Sequence, residues 1–588
     1  MIEILRKSDD YIIRVGIVFL MMLTTIMPVE MRWVVWDVWI IYAIPALMTF
    51  GMTVLVWKRQ KMEVTLADVV VATWFLYYVG RTWIGNEWPC QMEFLKTAEL
   101  FLLYVGLRIA FHGTKMSELV LIGSILLFGC YEAWLGVSQM YGYEISRHRL
   151  FALTGNFLNP GPYSAYLMLG VVVCLVTLKG MPDKTIMSVM PQFMPIKVAE
   201  CLKVITWKHL LFAAVTIMAM VLPATWSRAA FLGVTVVVIF VYRDKYWKYR
   251  YIVWVSVIVA TIAFYLIKQG SADGRLMIWK ATLTTWIDYP WLGVGIGGFS
   301  NAFAEGMTKL STTGADFSSV DVPDGSYNIL LEIVAEQGLV GGGLAISLTA
   351  VVMMRLARNS ISLFWGMVSL LVFAMFSYPF DLLPYKVIAV LIVAWSESKG
   401  DIQKTNNQSQ KTIGWIKVFL FSCFLGFASW QAGKITSKCF KIEKNLGKVC
   451  RFSDFYSVEE GFEWMSSEGD NREFLFAFGK KLREEGRYNE SNAVLRQGTM
   501  CSSDPMFYVL IGNNYKDMKH YDLAEKSYYK AFSVMPNRLY PLYQLMLLYQ
   551  ESGNVIKAKA MAKRVIEMKP KIDSQATRQM KEKAQLLL

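Results

Sequence analysis

The sequence predicts an all-α chain, a polytopic helical membrane protein of about 12 to 13 transmembrane helices followed by an α-solenoid. Three observations predict it. Of 588 residues 55% are hydrophobic and 18% charged, with a mean hydropathy of +0.37, too apolar for one soluble globule of this length. The apolar residues come in blocks long enough to cross a hydrocarbon core of roughly 30 Å, which takes about 20 residues of helix. Past residue 430 the hydropathy collapses and an internal period of about 34 residues begins.

The opening stretch MIEILRKSDDYIIRVGIVFLMMLTTIMP has a basic flank and an apolar run with no small-residue cleavage site after it, so it is expected to be a retained first helix over 11–28. Further spans are expected at 33–56, 64–80, 94–111, 117–138, 162–178, 209–226, 229–242, 251–267, 327–354, 360–378, 382–396 and 412–430. With the N-terminus in the cytoplasm, WKRQK (57–61), RIAFHGTK (108–115), the lysine-bearing link 179–208, YRDKYWKYR (242–250), RLAR (355–358) and KGDIQKTNNQSQK all fall on one side, as the positive-inside rule requires. The formal charge of +14 therefore needs no nucleic acid, because the basic residues lie in short links and not along a binding stripe. The opposite side receives 139–161, the turn at Ser227 and Arg228, the loop 268–326 and everything after about 430. This divides the chain into a transmembrane domain, 1–430, and an outer helical domain, 431–588.

Arg228 interrupts membrane-grade sequence, with seventeen uncharged residues before Ser227 and fourteen after Arg228. At mid-bilayer an arginine costs on the order of 2.5 to 3.5 kcal/mol. The topology puts it instead at the outer turn of a hairpin whose second arm, about 21 Å long by helical rise, is short for a span. Arg149, in RLFALTGNFLNPGPYSAYL, and Arg275, in DGRLMIWKATLTTWIDYPWLGVGIGGF, share that outer side. One such arginine merely snorkels. Three in one register suit a pyrophosphate, because guanidinium forks match phosphate oxygens bidentately.

In the long loop, Leu276, Trp279, Leu283, Trp286 and Ile287 recur at helical spacing, which predicts an amphipathic helix lying in the outer interface or packed as a lid. GVGIGG (293–298) has no strand before it and reads as a bend permitting close backbone approach rather than a dinucleotide fingerprint. Asp316, Asp321 and Asp324 read either as a solvated acidic loop or as a carboxylate base or acceptor-holding group. Asn328 and Glu332 share a helical face, and Glu332 or Glu336 is a functional suspect as an intramembrane carboxylate. Eight cysteines show no C-x-x-C and no His at metal spacing, so no metal or cofactor is expected; Cys439, Cys450 and Cys501 have the option of pairing in an oxidising compartment.

In the tail, Tyr488, Tyr521 and Val555 step by about 34 residues, as do Pro536 and Pro570. Gly512, Tyr515, Tyr521, Ala524, Tyr528, Ala531 and Pro536 follow the tetratricopeptide template. Tyr549, Gly553, Ala558 and Pro570 form a second good copy, Gly486 and Tyr488 a degraded one, and a further copy is expected within 450–470. Such an array binds a peptide or protein on its concave face or serves as a cap over the membrane domain.

In order along the chain, RLFALTGNFLNPGPYSAYL, SRAAFLG, GRLMIWKATLTTWIDYPWLGVGIGGF and YNILLEIVAEQGLVG resemble the bacterial O-antigen ligase and polymerase family, membrane glycosyltransferases of the GT-C type. The resemblance covers roughly 140–345. It implies a multi-pass protein of the bacterial inner membrane, with its C-terminal domain in the periplasm. The implied reaction moves a glycan from an undecaprenyl-pyrophosphate donor to an acceptor hydroxyl, on a lipid A core or a periplasmic protein, without metal or nucleotide. It assigns pyrophosphate and glycan contacts to Arg149, Asn159, Arg228 and Arg275, and acceptor positioning to Asp324, Tyr327 and Asn328. Tyr327 stands where these ligases usually carry histidine, and a phenol with an ordinary pKa near 10 is a poor base at neutral pH. The repeat tail tilts the reading toward a protein acceptor. The alternatives are an O-antigen or exopolysaccharide polymerase and, from another class, a transporter of lipid-linked sugars, although the singled-out charges gather at one face rather than along a path.

Overall fold

The computed structural model describes residues 2–26, 64–83, 91–111, 118–148, 150–180, 206–313, 316–323, 325–402, 458–468, 471–571 and 573–588. Every regular element among them is helical, apart from an isolated bridge between His148 and Phe151. The expected spans 33–56 and 412–430 lie outside the described residues, as do Cys439 and Cys450; the other eleven spans each coincide with a helix. Five described helices are long and apolar enough to cross a membrane: Glu118–Met140, Pro160–Gly180, Trp207–Thr225, Arg243–Ile267 and Ile329–Asn359. Ile13–Ile26, Leu100–Phe111, Arg228–Val241 and Ile361–Ala374 are apolar but shorter. The contacts divide the chain into two compact units.

The first unit comprises Met1–Thr73, Lys96–Val259 and Ile346–Gly433. Its axis is Pro160–Gly180, which packs against Glu118–Met140, Trp207–Val221, Arg228–Val241 and Ile361–Ala374. Tyr163, Tyr166, Met168, Leu169, Val172 and Cys174 on this helix are fully buried. A helix apolar on all sides is what a central position demands. Asp68 and Arg108 inside the unit are paired, as the low dielectric requires: Arg108 meets both oxygens of Asp68 at 2.9 Å, and the Tyr104 hydroxyl donates to Asp68 at 2.5 Å. On the link predicted to be cytoplasmic, Arg243 and Arg250 stack on Trp247 at 4.9 and 5.0 Å, the kind of anchor found at an interface.

The second unit comprises Trp74–Leu95, Ala260–Ala345 and Lys434–Leu588, so the long loop and the repeats belong to one body. Gln269–Trp286 packs on Phe299–Leu310, brought close because a Cβ at Gly306 would collide with the Ala281 carbonyl. The buried face of Gln269–Trp286 holds Gly274, Ile278, Ala281, Thr282 and Thr285, with Trp279 packed partly inward, whereas Leu276, Leu283 and Ile287 stay exposed. The five residues expected on one face therefore divide: Leu276, Leu283 and Ile287 point outward, while Trp279 packs into the unit's interior. Ile329–Asn359 is broken at Gly338, whose φ of 65° lets the chain pass tightly over Trp291. The freed amides of Leu339 and Val340 donate to the carbonyls of Pro290 (2.9 Å) and Trp291 (3.3 Å).

The tail forms the helix pairs that the repeat predicts: Arg472–Glu484 with Tyr488–Cys501, Pro505–Asp517 with Tyr521–Val534, and Leu539–Glu551 with Val555–Glu567. Val458–Glu468 precedes them, where the further copy is expected, and Gln575–Gln585 closes the array. Ala524, Tyr528 and Ala531 are completely buried, and Gly512 leaves the space that the Tyr528 ring fills. Gly512→Val should therefore overpack this contact and cost about 1–3 kcal/mol, seen as a lowered thermal midpoint for the array in the full-length protein. An unchanged midpoint would contradict the packing.

Candidate functional site

The residues expected to act fall in both units: Asn159 and Arg228 in the first, Arg275, Tyr327 and Asn328 in the second. Arg149 and Asp324 lie outside the described residues.

In the second unit the centre is Tyr327, whose φ of 55° is left-handed. For a bulky residue that costs about 1–3 kcal/mol and persists only where the surroundings enforce it. Enforcement comes through Ser326, which is fully buried. Its N–H donates to Glu332 Oε2 at 2.8 Å, and its carbonyl accepts from Trp279 Nε1 at 2.9 Å. Its hydroxyl proton lies between the Asn328 carbonyl at 2.6 Å and Glu332 Oε2 at 3.0 Å, and the hydroxyl oxygen accepts the Asn328 N–H at 3.0 Å. Both backbone groups of Ser326 are thus held by side chains from two helices. The strained residue is the next one along.

Arg275 lies over the Tyr327 ring, its Cζ 5.2 Å from the centroid. It sits one turn before Trp279 on Gln269–Trp286, so one helix supplies both the cation on the ring and the indole on Ser326. Gly274 lets this helix approach the segment around Ser319 closely, since a Cβ there would press on the Ser319 carbonyl. The arrangement presents a guanidinium beside a phenol, a donor pair suited to an anionic or polyol oxygen. Asn328, expected to position the acceptor, also has a structural use: its Oδ1 accepts from Leu331 N at 3.1 Å and caps the following helix.

The other acidic suspects are engaged in holding loops. Asp316 accepts from the N–H and hydroxyl of Ser318, bonds that keep its carboxyl below the ordinary range. Asp321 pairs with Arg538 at 2.8 Å and Lys571 at 3.3 Å. Glu336 accepts from Phe299 N at 3.1 Å. The glycine cluster acts as the expected close bend: Val294 and Gly295 donate to the carbonyls of Ala335 and Glu336, and Arg81 donates to the Gly293 carbonyl at 3.1 Å.

In the first unit Arg228 opens the helix Arg228–Val241, with Ser227 as its cap accepting from Ala230 N at 3.4 Å. A short 3-10 turn, Leu222–Thr225, and Trp226 at φ 50° separate that helix from Trp207–Val221, and both helices pack on Pro160–Gly180. Asn159 accepts from Gly161 N at 2.9 Å and starts the axial helix. Just before it lies a buried polar network absent from the sequence expectations. Glu132, fully buried, accepts from the N–H of Asn156 at 3.1 Å and from its side-chain amide at 3.2 Å, and Gln139 bonds the backbone of Thr154 and Gly155. Gly155, at φ 56°, admits both Glu132 and the Tyr163 ring. A carboxylate in the otherwise uncharged apolar block 119–140 is the available signal for it.

Among the described residues, no group of His, Cys, Asp or Glu is arranged to hold a metal ion. Residues 213–346 match the family model described as O-antigen ligase, and residues 507–538 match a tetratricopeptide repeat. The first match contains Arg228, Arg275, Tyr327 and Asn328, and it supports glycan transfer of the ligase or polymerase type. No curated protein matches the chain.

Glu332→Ala removes the acceptor of a buried N–H, a loss of about 1–3 kcal/mol locally. Amide exchange across 325–331 should accelerate in that variant while exchange in the repeats stays as it was. Unaltered exchange in 325–331 would show that Glu332 does not hold the turn.

Proposed function

We propose that this chain transfers an oligo- or polysaccharide from undecaprenyl pyrophosphate to an acceptor hydroxyl at the periplasmic face of the bacterial inner membrane, the acceptor being a lipid A core or a protein serine or threonine. The observation that carries the reading is Arg275 set over a strained Tyr327 inside the segment matching the ligase family.

The chemistry follows from what each group can do. An acceptor oxygen attacks the anomeric carbon, the bond from that carbon to the diphosphate oxygen breaks, and the acceptor's proton is lost. The departing diphosphate is already close to its final charge, so the barrier falls mainly through fixed cations and a well-oriented nucleophile. In this reading Arg228 and Arg275 converge on the diphosphate, with Arg149 and Asn159 contributing contacts to the donor. Tyr327, Asn328 and Asp324 orient the acceptor. A phenol serves as a hydrogen-bond partner there, and proton loss follows bond formation rather than preceding it.

The test supplies purified protein in vesicles with a synthetic polyprenyl-pyrophosphate glycan and, separately, a lipid A core, a periplasmic protein and a second lipid-linked glycan. Glycosylation of the core or the protein is the predicted result. Elongation of the second glycan would make the chain a polymerase, and passage of intact donor across the bilayer without transfer would make it a transporter. Arg228→Lys and Arg275→Lys should each lower transfer by at least about a hundredfold with membrane insertion unchanged, because an ammonium cannot reproduce the bidentate fork. Full activity in both lysine variants would refute the assignment.

A further inference from the structure

The repeat array is built into the loop that carries Tyr327. Asn537, only 6% exposed, uses one amide group twice: its Nδ2 donates to the carbonyl of Phe317 at 2.9 Å and of Val320 at 2.7 Å. Lys571 donates to the Val320 carbonyl at 3.0 Å, and Arg538 and Lys571 both pair with Asp321. Lys530 and Ser533 reach the Thr308 hydroxyl at 3.1 and 3.3 Å, with burial pushing the Lys530 ammonium below its ordinary range. Beneath these polar contacts, Val534 and Met535 are completely buried in one apolar cluster with Ile278, Phe303, Phe317 and Val320. Trp279 and Tyr327 pack against that same cluster. The core that supports the strained tyrosine is therefore partly made of repeat residues.

We propose that the array is a positioning element of the transfer site, with Asn537 as its principal positioning residue, and that its partner at this edge is the 317–321 segment of its own chain. The proposal deepens the transfer reading and rests on it for its kinetic consequence. Asn537 fixes 317–321, the cluster beneath transmits that fixation to Trp279 and Tyr327, and the acceptor-side geometry follows. An array acting as an independent receptor for acceptor proteins would show none of this dependence.

Asn537→Ala in the full-length protein tests it, with Leu523→Ser, an exposed position on the array, as control. Two readouts are taken. Amide exchange over 325–331 should rise in Asn537→Ala and not in Leu523→Ser, whatever reaction the protein catalyses. Transfer in Asn537→Ala should lose about tenfold or more in kcat with donor and acceptor KM within about twofold, the signature of misplaced rather than missing contacts. A raised acceptor KM with unchanged kcat would overturn the proposal in favour of a receptor, and unchanged exchange over 325–331 would overturn the coupling itself. Met535→Ala, which trims the cluster without touching the polar clamp, should reproduce both effects; if it reproduces neither, the proposed route through the cluster is wrong. Absence of transfer by the unmodified protein, with exchange behaving as stated, would defeat the functional reading and leave the coupling standing.

Discussion

The left-handed turn at Tyr327 is the constraint around which the second unit is organised. A bulky residue does not stay at positive φ unless the backbone on either side has no cheaper place to go. Here that condition is met by Ser326, whose N–H, carbonyl and hydroxyl are each committed to Glu332, Trp279 or Asn328. Because Glu332 and Asn328 belong to the start of one helix and Trp279 to another, the turn ties the loop helix to the membrane-entering helix. Arg275 completes the arrangement by covering the ring. Strain of this kind clusters where geometry has a task, and here it holds a phenol against a fixed cation.

The repeats enter the same arrangement from the outside. Tetratricopeptide arrays offer a concave face for a partner, but their edges and turns are also available surface. In this chain the turn after Tyr521–Val534 is spent on the loop, through Asn537, Arg538 and the apolar pair Val534 and Met535. These contacts give the array a supporting use at this edge, within its own unit. Its concave surface keeps whatever recognition role it has.

Much of this was legible in the sequence, for reasons that differ by element. Apolar blocks and basic links locate membrane helices because the bilayer filters composition directly. The repeat was readable because Ala524, Tyr528 and Ala531 must fit a fixed inter-helix space. Arg228 stands out as a charge interrupting apolar sequence, Arg275 as an arginine sharing its outer side, and Tyr327 as the residue in the place where the resembling ligases carry histidine. What escaped was long-range and backbone-directed: nothing local marks Ser326 as the residue that three others grip, or Asn537 as a clamp on a segment more than two hundred positions earlier. Asp321 stays open between two readings in the sequence because an acidic loop residue looks the same whether it awaits a proton or a lysine. Glu132 is visible in the sequence as a carboxylate within an otherwise uncharged apolar run, but nothing local shows that it grips the backbone at Asn156.

The central claim, that a diphosphate is held by guanidinium groups from distant parts of the chain, is tested most directly by an experimental structure with a non-transferable polyprenyl-diphosphate glycan bound. The account predicts Arg228 and Arg275 both within about 3 Å of diphosphate oxygens, with the sugar's anomeric carbon facing Tyr327. A diphosphate seated elsewhere, or touching neither arginine, would contradict it.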